Sequence, residues 1–129
     1  MMNSEYLALA RIEAQKGNCL KRNYGCVIID AFGRLVSTGF TFSEKPCKKC
    51  KRRFSRKGHG YDKCTSIHAE QMCVTGKEIR HGSTAFLACF DAEKNEIRSP
   101  RPCPTCARLL KLAGVHEVIT ATEVIRLCD

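Results

Sequence analysis

Hydrophobic residues recur along this chain with two different periods, which predict an alternation of helices and strands. Near the start, small and apolar residues at helical spacing predict a first helix, from a cap at Asn3 or Ser4 to Lys16. Two short β-branched runs follow, over residues 25–30 and 34–40, with turn residues between them. We therefore expect an antiparallel hairpin after the first helix.

The second half of the chain shows a helix, a strand, a helix and a strand in that order. The predicted elements cover residues 67–76, 83–90, 103–113 and 115–121, and residues 122–127 suit either a further strand or a last helix. The β-α-β order favours parallel pairing with right-handed crossovers. We expect one α/β domain over residues 1–129, a three-layer α/β/α sandwich in which helices cover a mixed sheet.

Between the two halves, residues 43–63 show no hydrophobic period and are rich in lysine and arginine. The formal net charge of the chain is +9. Such a charge favours contact with phosphate, either on a nucleotide or along single-stranded nucleic acid, although a merely solvated segment also fits. The candidate phosphate contacts are Arg22, Arg52 and Arg53.

The chain contains 10 cysteines. Its first residues lack the basic and then apolar run of a signal peptide, and no apolar run reaches the ~20 residues that cross a bilayer. We therefore expect a cytoplasmic protein without membrane contact, whose cysteines are reduced. Metal binding is then a better use for them than disulfide formation.

Two short motifs, His68-Ala69-Glu70 and Pro102-Cys103-Pro104-Thr105-Cys106, together predict a metal site. Two thiolates three residues apart at a helix start can face one ion. With His68 as third ligand a position stays open for water, which is typical of a catalytic zinc. The alternative is a closed structural zinc, with Glu70 as an ordinary charged residue.

The combination of His-x-Glu with Pro-Cys-x-x-Cys resembles the signature of the zinc-dependent nucleobase deaminases. Over residues 19–118 the chain is similar to the cytidine and deoxycytidylate deaminase family, above all to its deoxycytidylate (dCMP) branch. The resemblance implies the cytidine-deaminase-like fold and Zn²⁺ held by His68, Cys103 and Cys106. It also implies that Glu70 carries protons between the attacking water, ring N3 and the leaving ammonia.

The resemblance also implies a substrate and a mode of binding. The leading expectation is conversion of dCMP to dUMP and ammonia, followed by deamination of cytidine or deoxycytidine. The backbone N–H of Ala69 is expected to hold the base carbonyl. Phe40 and Phe42 could stack on a flat base or belong to the core.

Two other functions fit the same residues. One is a deaminase of guanine, of adenine or of a base within nucleic acid. The other is a non-catalytic zinc module that binds nucleic acid through its basic segment. The salt dependence of binding distinguishes a polynucleotide from a mononucleotide, because affinity falls more steeply with salt concentration for each additional phosphate contact.

The remaining cysteines divide into two groups. A second, structural zinc is expected on Cys19, Cys47, Cys50 and Cys64, with His59 as a substitute ligand, and the alternative is four free thiols. Cys26, Cys73, Cys89 and Cys128 are expected to act as small hydrophobes. The resemblance also implies a homo-oligomer.

Overall fold

The computed structural model describes residues 3–18, 22–42, 67–76, 78–91, 96–98 and 101–127. In chain order the elements are α1 (Asn3–Gln15), β1 (Arg22–Ile29), β2 (Leu35–Phe40), α2 (Ala69–Val74), β3 (Ser83–Asp91), β4 (Glu96–Arg98), α3 (Pro104–Ala113), β5 (Val115–Ile119) and β6 (Val124–Arg126). No helix in these ranges is long and apolar enough to cross a membrane.

The strands form a mixed sheet in the order β2-β1-β3-β5-β6, with β4 paired to β3. β3 and β5 are parallel, as the β-α-β order predicts, and the other pairs are antiparallel. The expected hairpin is present as β1 and β2.

Helices cover both faces of the sheet, which confirms the predicted three layers. α1 packs on one face, where Ala10, Val27 and Phe86 belong to one buried cluster. α2 and α3 pack on the other face, where a second cluster includes Cys26 and Leu110. Because β1 is covered on both sides, its residues are buried without interruption from Gly25 to Ile29.

Two glycines allow the helices to approach the sheet closely. A Cβ atom at Gly39 of β2 would lie 2.9 Å from the backbone nitrogen of Cys73, and nearer still to the carbonyl oxygen of Ala69. On the opposite face, a Cβ atom at Gly25 would overlap the backbone of α1 at Ala10 and Ala14. α2 therefore rests directly on β2, and α1 rests on β1.

Some element boundaries differ from those that the sequence predicts. α2 is shorter than the predicted helix over residues 67–76 at both ends. Ile67 pairs with Phe42 in an isolated antiparallel bridge, and Thr75 has extended backbone angles that end the helix at Val74. β4 lies within a stretch expected to be a connection; it is a short strand paired only with β3, so no apolar alternation is needed to form it. The open choice at residues 122–127 is resolved as a strand, β6.

Candidate active site

The beginning of α2 is held in place by two local interactions. His68 is the residue before the helix and has extended backbone angles, with φ −73° and ψ 150°. Its backbone N–H donates to Oε1 of Gln71 at 2.8 Å, half of a capping box. Just before it, Ile67 and Phe42 exchange backbone hydrogen bonds of 2.7 and 3.1 Å. His68 is therefore fixed between a bridge and a helix start.

The beginning of α3 places two thiols together. Cys103 is the residue before the helix, and its Sγ accepts a hydrogen bond of 3.4 Å from the backbone N–H of Cys106. Pro104 follows at the first helical position, where a missing N–H costs nothing. Gly114 ends the helix with a left-handed φ of 115°, a conformation that glycine adopts without strain. Both ends of α3 agree with the sequence.

The starts of α2 and α3 meet, and the meeting point collects three possible metal ligands. One ligand atom each from His68, Cys103 and Cys106 lie within 4.8 Å of one another. His68 Nδ1 is 3.3 Å from Cys106 Sγ and 4.0 Å from Cys103 Sγ. Ligands of a tetrahedral zinc are separated by roughly 3.5–3.8 Å, given Zn–N and Zn–S bonds of about 2.0 and 2.3 Å. The residues therefore fit a zinc ion.

The two thiols differ in acidity. Hydrogen bonds from Cys106 and then from His68 lower the pKa of Cys103 to about 4. The pKa of Cys106 is raised, because its thiol donates to Cys103 and because it is buried. Cys103 therefore loses its proton easily, whereas Cys106 retains its proton. A soft cation favours the doubly ionised form, since metals bind the thiolate.

Glu70 lies in the first turn of α2 beside this cluster, and only 3% of its surface is exposed. Burial is the main reason why its pKa is raised, with His68 and a backbone hydrogen bond acting in the opposite direction. The neighbouring side chain of Cys106 also lowers the pKa of Glu70. A carboxyl group whose pKa is raised by burial holds its proton to a higher pH than an exposed one, which is a property of functional sites.

The three residues expected to contact a substrate lie around the same place. Ala69 is the first residue of α2 and is fully buried, and its N–H has no acceptor within the helix. The rings of Phe40 and Phe42 are 6.1 Å apart in an edge-to-face pair, and both side chains are half-buried. Because Phe42 is bridged to Ile67, the aromatic pair at the end of β2 lies beside the residue that precedes His68.

Several contacts at the site were not part of the sequence-based prediction. Gln71 fixes the backbone of His68, and its position three residues later is a capping signal that could have been recognised. Gly39 and Ser37 of β2 contact α2. Those contacts join positions 30 or more residues apart, so no local pattern in the sequence predicts them.

The other residues singled out from the sequence fall into two groups, those that the structure describes and those that lie outside the described residues. Cys26, Cys73 and Cys89 are buried, as expected for small hydrophobes. Within the described ranges, the cluster at His68 is the one group of three or more potential metal ligands. Arg22, a candidate phosphate contact, is the first residue of β1. The other candidates lie outside the described residues: Cys19, Cys47, Cys50, Arg52, Arg53, His59, Cys64 and Cys128.

The chain is similar to known proteins in both sequence and fold. A family model described as the cytidine and deoxycytidylate deaminase zinc-binding region matches residues 1–122. A deoxycytidylate deaminase of Schizosaccharomyces pombe is 29% identical over 94% of this chain and 37% of its own length. One from Saccharomyces cerevisiae is 29% identical over 91% of this chain and 36% of its own. The chain thus spans just over a third of the length of these relatives.

Solved structures agree on the fold. A cytidine deaminase from Burkholderia pseudomallei superposes with a TM-score of 0.65 at 12% identity, covering 98% of this chain and 94% of that one. A dCMP deaminase from the cyanophage S-TIM5, in apo form, gives a TM-score of 0.58 at 19% identity, covering 90% and 79%. At these identities the likeness concerns the fold alone. By the match of its family model, the chain belongs to the cytidine and deoxycytidylate deaminase family that carries this zinc-binding region.

Proposed function

We propose that this chain catalyses the zinc-dependent hydrolytic deamination of cytosine in a nucleotide or nucleoside, with dCMP as the leading substrate. The observation that carries the proposal is a buried carboxyl group, Glu70, beside three converging ligand side chains. The names of the two yeast relatives favour dCMP over the other cytosine compounds.

His68, Cys103 and Cys106 are the residues that would hold the zinc ion. Their donor set of one nitrogen and two sulfurs suits zinc, and three protein ligands leave a coordination position open for the reaction. When bound there, zinc supplies a Lewis acid that lowers the pKa of a water molecule from its ordinary value toward ~7.

Glu70 performs the proton transfers. In hydrolytic deamination, water adds its oxygen to C4 of the ring, and the C4–N bond to the exocyclic amine breaks to release ammonia. Glu70 accepts one proton of the attacking water and delivers it to ring N3, and then takes the second proton from the new hydroxyl group on C4 and delivers it to the departing amine. Burial raises its pKa above the ordinary value for a glutamate, which makes it a better proton acceptor than an exposed carboxylate.

The residues around Glu70 would orient the base. The backbone N–H of Ala69, at the first position of α2, has no acceptor within the helix and would hold the carbonyl oxygen of the base. Phe40 and Phe42 offer aromatic surface for stacking on the flat ring. These contacts would hold C4 of the base near the metal ligands, and orientation of this kind supplies a large part of enzymatic rate acceleration.

The proposal is tested by measuring ammonia release from dCMP, CMP, deoxycytidine, cytidine, guanine, adenosine and a short single-stranded oligonucleotide. Wild type is compared with Glu70→Gln, which keeps the shape of the side chain and removes its proton-carrying ability. We expect turnover of a cytosine compound to fall by about 10²–10⁴-fold in the variant, with equal zinc content. If zinc-loaded wild type leaves every compound intact, the proposal is wrong and a non-catalytic zinc module that binds nucleic acid becomes the better hypothesis.

We further propose that a second, structural zinc is bound by Cys19, Cys47, Cys50 and Cys64. The support comes from the sequence alone. Cys47 and Cys50 lie within the basic segment at the spacing of zinc ligands, Cys64 directly follows it, and Cys19 precedes it. Metal analysis of the purified chain distinguishes two zinc ions from one, and Cys47→Ser should remove only the second. Homo-oligomerisation and a cytoplasmic location stay predictions. Light scattering would measure the number of subunits.

A further inference from the structure

The helix that carries Glu70 cannot define its own orientation. α2 contains 6 residues, whereas isolated helices need ~12–15 residues to be even marginally stable in water. Its position must therefore come from contacts with the sheet. Those contacts decide where the Glu70 carboxyl group lies relative to His68 and the two cysteine ligands.

One residue near the end of α2, Cys73, is attached to two strands at once. The hydroxyl of Ser37 on β2 donates to the backbone carbonyl oxygen of Cys73 at 2.5 Å. The thiol of Cys73 donates to the carbonyl oxygen of Cys26 on β1 at 3.2 Å. Ser37 is 5% exposed and Cys73 is fully buried, so water does not compete for these bonds.

The bond from Ser37 satisfies a group that the helix itself leaves open. The last four carbonyl groups of an α-helix have no intrahelical partner, and that of Cys73 is among them because α2 ends at Val74. Leaving such a group buried without a partner costs free energy. Ser37 therefore ties the last turn of α2 to β2 through a side chain rather than through the helix backbone.

The attached residue also lies on the same face as the carboxyl group. Cys73 follows Glu70 by three positions, and residues three apart on a helix are neighbours on one face. Both are turned toward the interior. A rotation or a sliding movement of Cys73 along β2 would therefore move the Glu70 carboxyl group as well.

We propose that Ser37 is a positioning residue for Glu70, acting through its hydrogen bond to the carbonyl group of Cys73. Gly39 permits α2 to lie close to β2, and Ser37 holds the helix at one rotation on that surface. This inference rests on the proposed function, because it concerns the placement of the proposed proton carrier. The hydrogen bond of Ser37 is made to Cys73, which is not one of the three candidate metal ligands.

The test compares four variants of the full chain loaded with zinc. Ser37→Ala removes the hydroxyl group, and Ser37→Thr retains it. Thr38→Ala is the matched control, because Thr38 is the next residue of β2 and is exposed. Ile29→Val controls for loss of stability alone, since Ile29 packs in the cluster on the α1 face.

We expect Ser37→Ala to lower kcat by about 10- to 100-fold, since a misplacement of about 1 Å can cost 10²-fold. KM should change by less than about 3-fold, and zinc content should equal that of wild type, because only the orientation of the proton carrier is disturbed. Ser37→Thr should recover most of kcat. Amide hydrogen exchange in residues 69–74 should be faster in Ser37→Ala than in Thr38→Ala.

The inference is overturned if Ser37→Ala keeps wild-type kcat, or if Thr38→Ala or Ile29→Val loses as much. Unchanged hydrogen exchange in residues 69–74 also overturns it. Amide hydrogen exchange separates this inference from the proposed function. If wild type deaminates no compound, the proposed function fails. Exchange in residues 69–74 of Ser37→Ala still decides whether Ser37 holds α2, since faster exchange supports the inference and unchanged exchange contradicts it. If Ser37→Ala does not fold, Ser37→Cys, a weaker donor, should show an intermediate loss of kcat, and full activity there contradicts the inference.

Discussion

A methyl group added at Gly39 should separate the stability of this chain from its activity. Gly39 lies in β2 directly beneath α2, the helix that carries Glu70. Its backbone does not need a positive φ, so alanine meets no conformational obstacle in the strand. The effect of Gly39→Ala therefore comes from the space that the new Cβ atom occupies.

The structure sets the size of the displacement. The new Cβ atom would lie 2.9 Å from the backbone nitrogen of Cys73 and 3.1 Å from Cβ of Met72, and closer to the carbonyl oxygen of Ala69. Ordinary contacts begin at 3.4 Å, and the closest contact, to the carbonyl oxygen of Ala69, requires α2 to move away from β2 by roughly an ångström. Overpacking of this kind typically costs about 1–3 kcal/mol, which a domain with about 5–15 kcal/mol of stability survives.

The catalytic consequence should exceed the loss of stability. A displacement of about 1 Å in a reacting group can cost 10²-fold in rate, and here the helix that carries the proposed proton carrier moves. We expect kcat for the best cytosine substrate to fall by about 10- to 100-fold, measured as ammonia release by zinc-loaded protein at a temperature where the variant is folded.

Gly25→Ala is the matched control on the other face of the sheet. Its Cβ atom would lie 3.0 Å from the carbonyl carbon of Ala10 and nearer to two other backbone atoms of α1. It should therefore lower stability at least as much as Gly39→Ala, as measured by urea unfolding, but it displaces α1 and leaves α2 in place. Equal loss of kcat in the two variants, or full activity in folded Gly39→Ala, would refute the reasoning.

Two further predictions concern the metal ligands and the core. Cys103→Ala should lose one zinc ion per chain and all deaminase activity, whereas Cys89→Ala, a buried cysteine outside the cluster, should keep both; elemental analysis and ammonia release check this. Leu110→Ala should lower the free energy of unfolding by about 2–5 kcal/mol, because Leu110 is fully buried between α3 and the sheet. Leu112→Ala, two residues along and 78% exposed, should change it by less than about 0.5 kcal/mol in the same urea titration.

Elements with strong local signals could be predicted from the sequence. The run over residues 115–121 is β-branched and follows Gly114, and the structure shows β5 there, ended by Ile119. The hairpin of β1 and β2 has the same origin, since two apolar runs flank a turn in which Gly33 has φ 81°. In these cases one residue type and its immediate neighbours determine the local backbone.

Elements that depend on partners elsewhere could not be predicted. β4 forms because Glu96–Arg98 pairs with an edge of β3. Three mostly polar residues carry no sequence pattern that predicts this pairing. The start of α2 is delayed by the bridge between Phe42 and Ile67, whose partners are 25 positions apart. Local propensity limits the structures that a segment can adopt, whereas the bridge determines where this helix starts.

The candidate site combines both kinds of information, which explains why its members could be predicted and its geometry could not. His68 and Cys103 are each the residue before a helix, so their motifs also mark helix starts. What brings the two starts together is the packing of α2 and α3 on one face of the sheet, and that depends on distant residues such as Gly39 and Leu110. We therefore expect that a chain could keep both motifs unchanged and still lose the proposed activity through a substitution on β2, because the proposed proton carrier lies on a helix of 6 residues that depends on its neighbours for its position.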